Sequence, residues 1–501
     1  MKCSRLIPGQ RCVRAALAAA LAAVLVACGG GGSGPESTAV TQTPVAPAPS
    51  VPLPAPAPAA PAAPSVRIGS TASQLFTGQS TTLAWSSADA SVCAASGAWT
   101  GSQPTSGSLT FTVTAAGSPT YTLSCTGLGG TASANATLSV AAANSLPITV
   151  DRGPNGESFN MPFVSVTVCT PGTASCRTVD RVLVDTGSNG LRLMASALGT
   201  GINLPAVANA ATAPVGECGQ FTSGFTWGAV RRADVRLGGE TAAGIPVQVI
   251  GDPGAAYASI PFACSGTGAN VSTVAALGAN GILGVGTSRQ DCGAACVASP
   301  AIGLYYGCPA GGCSGTTLPL ESQVVNPVVA LTVDNNGLGI TLPAVPIGGS
   351  TSLMGTLTFG LGTQANNQMG NSTAYATNDR GNFTTVYKGT SYTSSFIDSG
   401  SNGLFFNDAS IPQCSTGFFC PLAPLSLSAL NVSANGASGT VDFIVERLPT
   451  AASGVTALHA AGTAGLPRTF DWGLPFFFGR TVFVGISGAP TPRGNGPFWA
   501  Y

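Results

Sequence analysis

Residues 182–193 read VLVDTGSNGLRL, and residues 395–406 read SFIDSGSNGLFF. Both stretches pass from apolar residues through Asp, Thr or Ser, Gly, Ser, Asn and Gly to Leu. The two aspartates, Asp185 and Asp398, stand 213 residues apart, which is far longer than the period of a solenoid repeat. The repeat therefore predicts two similar lobes, each of which contributes one aspartate.

The residue types in the two motifs suit acid–base chemistry. Two carboxyls held about 3 Å apart cannot both ionise cheaply, so they share one proton and titrate as a pair. The charged carboxyl can then activate water as a general base, while the protonated one donates to a carbonyl oxygen. Sequence alone does not tell which aspartate is the base.

Six residues flank the aspartates at matching positions: Thr186, Gly187, Ser188, Ser399, Gly400 and Ser401. The two glycines allow tight turns in which backbone amides approach the carboxylates. The serines that follow the glycines can donate to the outer carboxylate oxygens. Thr186 and Ser399 can brace the two loops against each other.

The two motifs resemble those of pepsin-like aspartic proteases, and further stretches agree with that family in their order. These are the first hairpin (161–188), a flap hairpin (221–239), the strand NGILGVG (280–286), GTLTFGLGT (355–363) and DWGLPFFFGRTVFVGI (471–486). The resemblance spans about 145–501 and implies an all-β, bilobal double-barrel domain, with lobes at about 145–325 and 326–501. It also implies an Asp185–Asp398 catalytic dyad that hydrolyses peptide bonds with no metal and no cofactor.

Several positions depart from the family pattern. Arg192 stands where the family usually has a tryptophan, and the flap tyrosine has no clear counterpart. The nearest flap aromatics are Phe221, Phe225 and Trp227, and Asp471 falls near a normally apolar position. Overall the chain looks most like a bacterial family of exported pepsin-like proteins with no established activity. A catalytically inactive binding or structural protein is therefore the alternative to a peptidase.

The amino terminus predicts export and lipid anchoring. Basic residues precede an apolar run that ends Leu25-Val26-Ala27-Cys28, and this run is too short for a comfortable membrane span. It resembles a lipobox, which implies a signal peptide over 1–27, lipidation of Cys28 and an outer-membrane lipoprotein facing the periplasm or the outside. An ordinary cleaved signal is the alternative. Residues 28–64 predict a tether, first Gly-rich and then Pro/Ala-rich.

Residues 65–142 predict a small immunoglobulin-like β-sandwich. Alternation places Leu83 and Trp85 on one face of a strand, and Tyr121, Leu123 and Cys125 on one face of another. The tryptophan does not lie between the cysteines, as it does in antibody domains. The expected role is a spacer, with binding of a partner or glycan, as in a surface adhesin, as the alternative.

Twelve cysteines beyond the amino terminus, an even number, predict disulfides in an oxidising compartment. Neighbour spacing favours four pairs: Cys93–Cys125, Cys169–Cys176, Cys218–Cys264 and Cys414–Cys420. For Cys292, Cys296, Cys308 and Cys313, two further disulfides compete with a zinc knot, and their pairing stays open.

Composition excludes other classes of function. Lys+Arg 19 balances Asp+Glu 19, and charged residues make up only 8%, whereas nucleic-acid binding needs basic clusters. His459 is the single histidine, so a histidine-rich metal site is impossible. The expected partners are a peptide or protein substrate between the lobes and a membrane reached through the lipid anchor, for a monomeric protein.

Overall fold

The structure is a computed structural model that describes residues 59–448 and 454–501. The signal peptide, Cys28 and most of the 28–64 tether therefore lie outside the described residues. Among the described helices, none is long and apolar enough to cross a bilayer.

Residues 65–141 form two packed sheets around a small core. One sheet has the order β1-β3-β6 and the other β5-β4-β7-β8, while β2 pairs with β9. The strands are β1 (Ser65–Ser70), β2 (Gln74–Phe76), β3 (Ser80–Ala88), β4 (Val92–Gly97), β5 (Gly101–Gln103), β6 (Ser106–Thr112), β7 (Thr120–Gly127), β8 (Gly130–Thr137) and β9 (Ser139–Ala141). The alternation in β3 and β7 does bury Leu83, Trp85, Tyr121 and Leu123 together.

The disulfide of this unit differs from that of antibody domains. Cys93 and Cys125 are direct partners on the neighbouring strands β4 and β7, so the bridge lies within one sheet. In antibody domains the bridge joins the two sheets. The immunoglobulin-like assignment stays a prediction.

The first lobe of the following domain is built on strands β10 to β19. Its strands are β10 (Ser145–Val150), β11 (Pro162–Cys169), β12 (Cys176–Asp185), β13 (Asn189–Met194), β14 (Val215–Phe221), β15 (Gly224–Leu237), β16 (Glu240–Ile250), β17 (Gly281–Val285), β18 (Tyr305–Gly307) and β19 (Ser314–Gly315). Its helices are α1 (Ala195–Leu198), α2 (Phe262–Ser265), α3 (Val274–Leu277) and α4 (Ala294–Ala298), with 3-10 turns at Ala255–Tyr257, Pro300–Ile302, Leu320–Ser322 and Pro327–Ala330.

The second lobe repeats the strand crossing of the first. Its strands are β20 (Gly337–Leu342), β21 (Leu353–Phe359), β22 (Ala374–Ala376), β23 (Phe383–Tyr387), β24 (Thr390–Ile397), β25 (Leu404–Phe405), β26 (Leu425–Val432), β27 (Ser438–Val445), β28 (Gly462–Thr463), β29 (Asp471–Trp472), β30 (Arg480–Gly485), β31 (Pro490–Thr491), β32 (Gly494–Asn495) and β33 (Phe498–Ala500). In the part of this lobe that the structure describes, 3-10 turns lie at Ala365–Asn367 and Leu474–Phe477.

An interlobe sheet joins the two halves. Strand β10, at the start of the first lobe, pairs antiparallel with β21 from Ser145↔Thr358 to Val150↔Leu353. The sheet then continues through β20, β30, β33 and β22. One apolar core runs through it, from Leu146 and Ile148 to Val484 and Trp499. The predicted all-β, bilobal, pepsin-like double-barrel architecture is confirmed.

All four predicted disulfide pairs are present. The remaining four cysteines pair as Cys292–Cys296 and Cys308–Cys313. These four cysteines therefore form two disulfides instead of the alternative zinc knot. Among the described residues, no group of side chains that could hold a metal ion occurs.

Candidate active site

Each aspartate sits at the end of a strand that is crossed by a second strand of its lobe. In the first lobe, β17 runs parallel to β12 and antiparallel to β13. In the second lobe, β29 has the same relation to β24 and β25. A Cβ on Gly473, just after β29, would lie 2.0 Å from the carbonyl oxygen of Gly403, so this crossing requires a glycine. The two crossings fix Asp185 and Asp398 in equivalent loops.

The two loops bring the aspartates into contact. The Gly187 amide donates to Oδ1 of Asp185 at 2.8 Å and to Oδ1 of Asp398 at 3.1 Å. A Cβ on Gly187 would lie 2.6 Å from Cγ of Asp398, so any larger residue would push the loops apart. Asp185 and Asp398 are 1% and 0% exposed, and their carboxyls are hydrogen-bonded to each other.

The remaining carboxylate contacts repeat from one lobe to the other. Ser188 Oγ donates to Oδ2 of Asp185 at 2.6 Å. In the second lobe the Gly400 amide donates to Oδ1 of Asp398 at 2.8 Å, and Ser401 Oγ lies 2.8 Å from its Oδ2. The inner oxygens thus receive backbone amides and the outer oxygens face hydroxyls.

The residues that follow the aspartates tie the lobes together. Thr186 Oγ1 donates to the carbonyl oxygen of Ile397 at 2.9 Å, and Ser399 Oγ donates to that of Val184 at 2.7 Å. Both hydroxyls also accept a backbone amide of the opposite loop. This symmetry holds the carboxyls at a fixed separation.

Burial and the neighbouring charge of Asp398 raise the pKa of Asp185 to about 8, against the opposing hydrogen bonds from Ser188 and Gly187. A carboxyl in this position keeps its proton at neutral pH. The pair can therefore hold one proton between two oxygens, which is the state that general acid–base chemistry requires.

The three flap candidates lie on the β14–β15 hairpin, and all three are buried. Phe225 and Trp227 pack with Tyr257, and Trp227 Nε1 donates to the carbonyl oxygen of Tyr257 at 2.8 Å. Phe221, beside the hairpin turn, lies under the guanidinium of Arg192 at 5.7 Å. The described contacts thus give Phe225 and Trp227 a packing role, and they place Phe221 beside the strand that follows Asp185.

A buried ionic cluster lies beside the first loop, and sequence reasoning did not predict it. Arg192 contacts Glu217 at 2.5 Å and Asp291 at 3.1 Å, and Tyr305 donates to Asp291 at 2.5 Å. Burial and the Glu217 carboxylate raise the pKa of Asp291 well above its usual range, although Arg192 opposes the rise. The charge of Arg192 thus links the strand that follows Asp185 to β14 and, through β14, to the β14–β15 hairpin.

Two other residues noted in the sequence have different surroundings. Asp471, on crossing strand β29, lies 2.7 Å from Ser401 Oγ, which places it directly behind Asp398. His459 lines a cavity of about 220 Å³ with Trp472 and Arg480, and no described contact joins it to either aspartate.

A protein-family match covers residues 140–501, and its description is protein of unknown function (DUF3443). The chain belongs to this family. Among solved structures, the DUF3443 chain is similar to an aspartic proteinase from Irpex lacteus, with 16% identity and a TM-score of 0.40. That similarity covers 71% of this chain and 96% of the proteinase. No match is found among curated proteins.

Proposed function

We propose that the domain over 145–501 is an aspartic endopeptidase with Asp185 and Asp398 as its catalytic pair. The observation that carries this proposal is the Gly187 amide, which donates to one oxygen of each carboxyl at 2.8 and 3.1 Å. One amide can serve two carboxyls only when their oxygens are neighbours. Neighbouring buried carboxyls share a proton, as aspartic-protease chemistry requires.

The proposed reaction needs a water molecule and the two carboxyls. The ionised carboxylate takes a proton from the water, whose oxygen bonds to the peptide carbonyl carbon, and the protonated carboxyl gives its proton to the carbonyl oxygen. In the second step the newly protonated carboxyl delivers its proton to the amide nitrogen, while the other carboxylate removes a hydroxyl proton. The C–N bond breaks, a carboxylic acid and an amine leave, and the pair keeps one proton.

The substrate class is a peptide or protein segment bound in extended form between the lobes. Extended segments are held by main-chain hydrogen bonds along strand edges, and side-chain pockets supply selectivity. The flap hairpin and the loops that follow the aspartates are the elements that would face such a segment. Neither metal nor cofactor enters the proposed reaction.

The proposal includes attachment of the mature protein to the outer membrane through lipid on Cys28. Several acyl chains on one residue anchor a protein stably, whereas one chain is marginal. Incorporation of labelled palmitate into the wild-type chain, and its loss in Cys28→Ala, tests this part alone. Equal labelling of both chains would contradict it.

A peptide-library digest across pH tests the peptidase. Asp185→Asn and Asp398→Asn should each slow cleavage by roughly 10²–10⁴-fold, because each removes one half of the acid–base pair. Asp379→Asn, an exposed change of the same charge in the second lobe, is the matched control and should cleave like the wild type. Identical products and rates from wild type and Asp185→Asn would defeat the proposal.

One observation favours a second candidate, a catalytically inactive binding or structural protein. Both aspartates are almost fully buried, at 1% and 0% exposure, as expected if the pair only locks the lobes together. A pepstatin-like inhibitor separates the two candidates. Binding that Asp185→Asn or Asp398→Asn weakens supports the enzyme, and no binding by a folded wild-type protein supports the inactive scaffold.

A further inference from the structure

The Ser401 hydroxyl lies between two buried carboxyls. Its Oγ is 2.8 Å from Oδ2 of Asp398 and 2.7 Å from Oδ2 of Asp471. Ser401 and Asp398 are 0% exposed, and Asp471 is 4% exposed. A third acid is therefore joined to the aspartate pair through one side chain.

Counting protons restricts what this arrangement can be. A hydroxyl carries one hydrogen and can donate it to one carboxylate only. For both short contacts to be hydrogen bonds, the carboxyl that does not accept this hydrogen must itself be protonated and donate to Ser401 Oγ. When Asp471 holds that proton, Ser401 donates to Asp398, and Asp398 is the ionised partner. When Asp471 is ionised, Ser401 turns toward it and the outer oxygen of Asp398 must be protonated.

The first lobe lacks the third acid at the equivalent place. Ile282 on β17 pairs with Leu183 and Arg192, just as Asp471 on β29 pairs with Phe396 and Phe405. At the place behind Asp185, which Ser188 hydrogen-bonds, the first lobe therefore has the apolar Ile282. At the corresponding place behind Asp398, which Ser401 hydrogen-bonds, the second lobe has the carboxyl of Asp471. The difference makes the two halves of the pair chemically unequal.

We propose that Asp471 is a positioning residue that, through Ser401, decides which of the two catalytic aspartates is ionised. This inference rests on the proposed peptidase function. In the working state Asp471 is protonated, Ser401 donates to Asp398, and Asp398 is the general base, which leaves Asp185 as the acid. When Asp471 loses its proton to solvent, the Ser401 hydroxyl turns toward Asp471, and the proton that remains on the pair moves from Asp185 to Asp398. Asp398 is then protonated and can no longer act as the base.

Asp471 is linked to the catalytic pair through the Ser401 hydroxyl. Asp398 faces it through Ser401, and Asp185 lies beyond Asp398. The paired residues on β24 and β25 are phenylalanines. His459 lies beside Trp472, and successive strand residues point to opposite faces, so it belongs to the other side of β29. The switch therefore joins three carboxyls through one hydroxyl.

The pH dependence of peptide cleavage tests the switch. Asp471→Asn keeps the shape of a neutral acid and cannot ionise. The fall in cleavage rate at alkaline pH should therefore begin about one pH unit or more higher than in the wild type, as expected for coupled acids. In a Ser401→Ala background the same substitution should not move this fall in rate, because the connecting hydroxyl is gone. Asp379→Asn is the charge-matched control. A fall in rate that Asp471→Asn leaves in place, or moves equally in both backgrounds, would overturn the inference.

A second readout does not need cleavage, so it separates failure of this inference from failure of the proposed function. The Asp471 carboxyl, followed through the carbon-13 NMR signal of its γ-carbon, should lose its proton at a higher pH in the wild type than in Asp398→Asn, where the competing charge is absent. A titration that is the same in both proteins contradicts the inference, whether or not the protein cuts peptides. Absence of cleavage alone would count against the peptidase proposal.

Discussion

Thr186 and Ser399 exchange hydrogen bonds across the two lobes. The Thr186 amide donates to Ser399 Oγ at 3.1 Å, and the Ser399 amide donates to Thr186 Oγ1 at 2.9 Å. Each hydroxyl also donates to a carbonyl oxygen of the opposite strand. Every hydroxyl in this brace is thus both donor and acceptor, and the brace holds the two aspartates in one fixed relation.

Loss of one hydroxyl from this brace should destabilise the whole domain. Thr186→Val leaves a buried amide and a buried carbonyl without partners, at about 1–3 kcal/mol for each group. Urea unfolding followed by tryptophan fluorescence measures the change in the free energy of unfolding. Thr167→Val removes an exposed hydroxyl pair and should stay within about 0.5 kcal/mol of wild type. Equal losses of unfolding free energy from the two substitutions would contradict the stabilising role of the brace.

The buried cluster around Arg192 should be sensitive to loss of its cation. Arg192→Met leaves Glu217 and Asp291 buried without their counter-charge, which should cost about 3–5 kcal/mol at pH 7. Arg181→Met breaks the exposed pair with Asp151 and should cost at most about 1 kcal/mol.

The pH dependence of the Arg192→Met variant has a definite sign. The folded state raises the pKa of Asp291, so the folded protein binds protons more tightly and stability falls as pH rises above the unfolded value. The variant should therefore recover part of its lost stability at pH 4. A deficit in unfolding free energy that is equal at pH 4 and pH 7 would argue against trapped carboxyls.

The pKa of Asp185, raised to about 8, predicts a cost to folding at neutral pH. Because the folded value lies above the unfolded one, the stabilising contribution is complete at acid pH and is lost between about pH 4 and pH 8. Asp185→Asn removes this dependence. The variant should be more stable than the wild type at pH 7 by more than about 1.4 kcal/mol, the free energy of one pKa unit. Urea unfolding at pH 4 and pH 7 measures the difference, and a less stable variant at pH 7 would contradict it.

The Cys218–Cys264 disulfide should stabilise the β14–β15 hairpin against helix α2. The bridge closes a loop with a sequence separation of 46, and loop entropy assigns it about 4 kcal/mol. Replacement of both cysteines by alanine should lower the thermal midpoint far more than the same change at Cys308 and Cys313, whose separation is 5. A similar loss from both pairs would show that loop entropy is not the cause.

The sequence predicted the features that are encoded locally. Each aspartate motif contains its own turn, amide donors and hydroxyl within four residues, so Asp185, Gly187 and Ser188 could be assigned without knowing the fold. The Cys169–Cys176 and Cys414–Cys420 disulfides followed from spacing for a similar reason, because separations of 7 and 6 residues leave few other partners.

The features that were missed depend on distant pairings. Glu217 and Asp291 stand 25 and 99 residues from Arg192, and no local pattern shows that these three side chains meet. Ser401 and Asp471 are 70 residues apart, so Asp471 could be noticed only as an acid in an apolar strand. The same limit applies to Cys93 and Cys125, whose spacing fits a bridge within one sheet as well as one between two sheets.

Carbon-13 NMR titration of the Asp185 and Asp398 γ-carbons from pH 3 to pH 9 tests most directly whether these two acids hold one proton between them. We expect two well-separated steps, with one carboxyl ionised in acid and the second still protonated at neutral pH, and a single step at a lower pH when either residue is changed to Asn. Two independent titrations near pH 4, each unaffected by replacement of the other aspartate, would contradict the account.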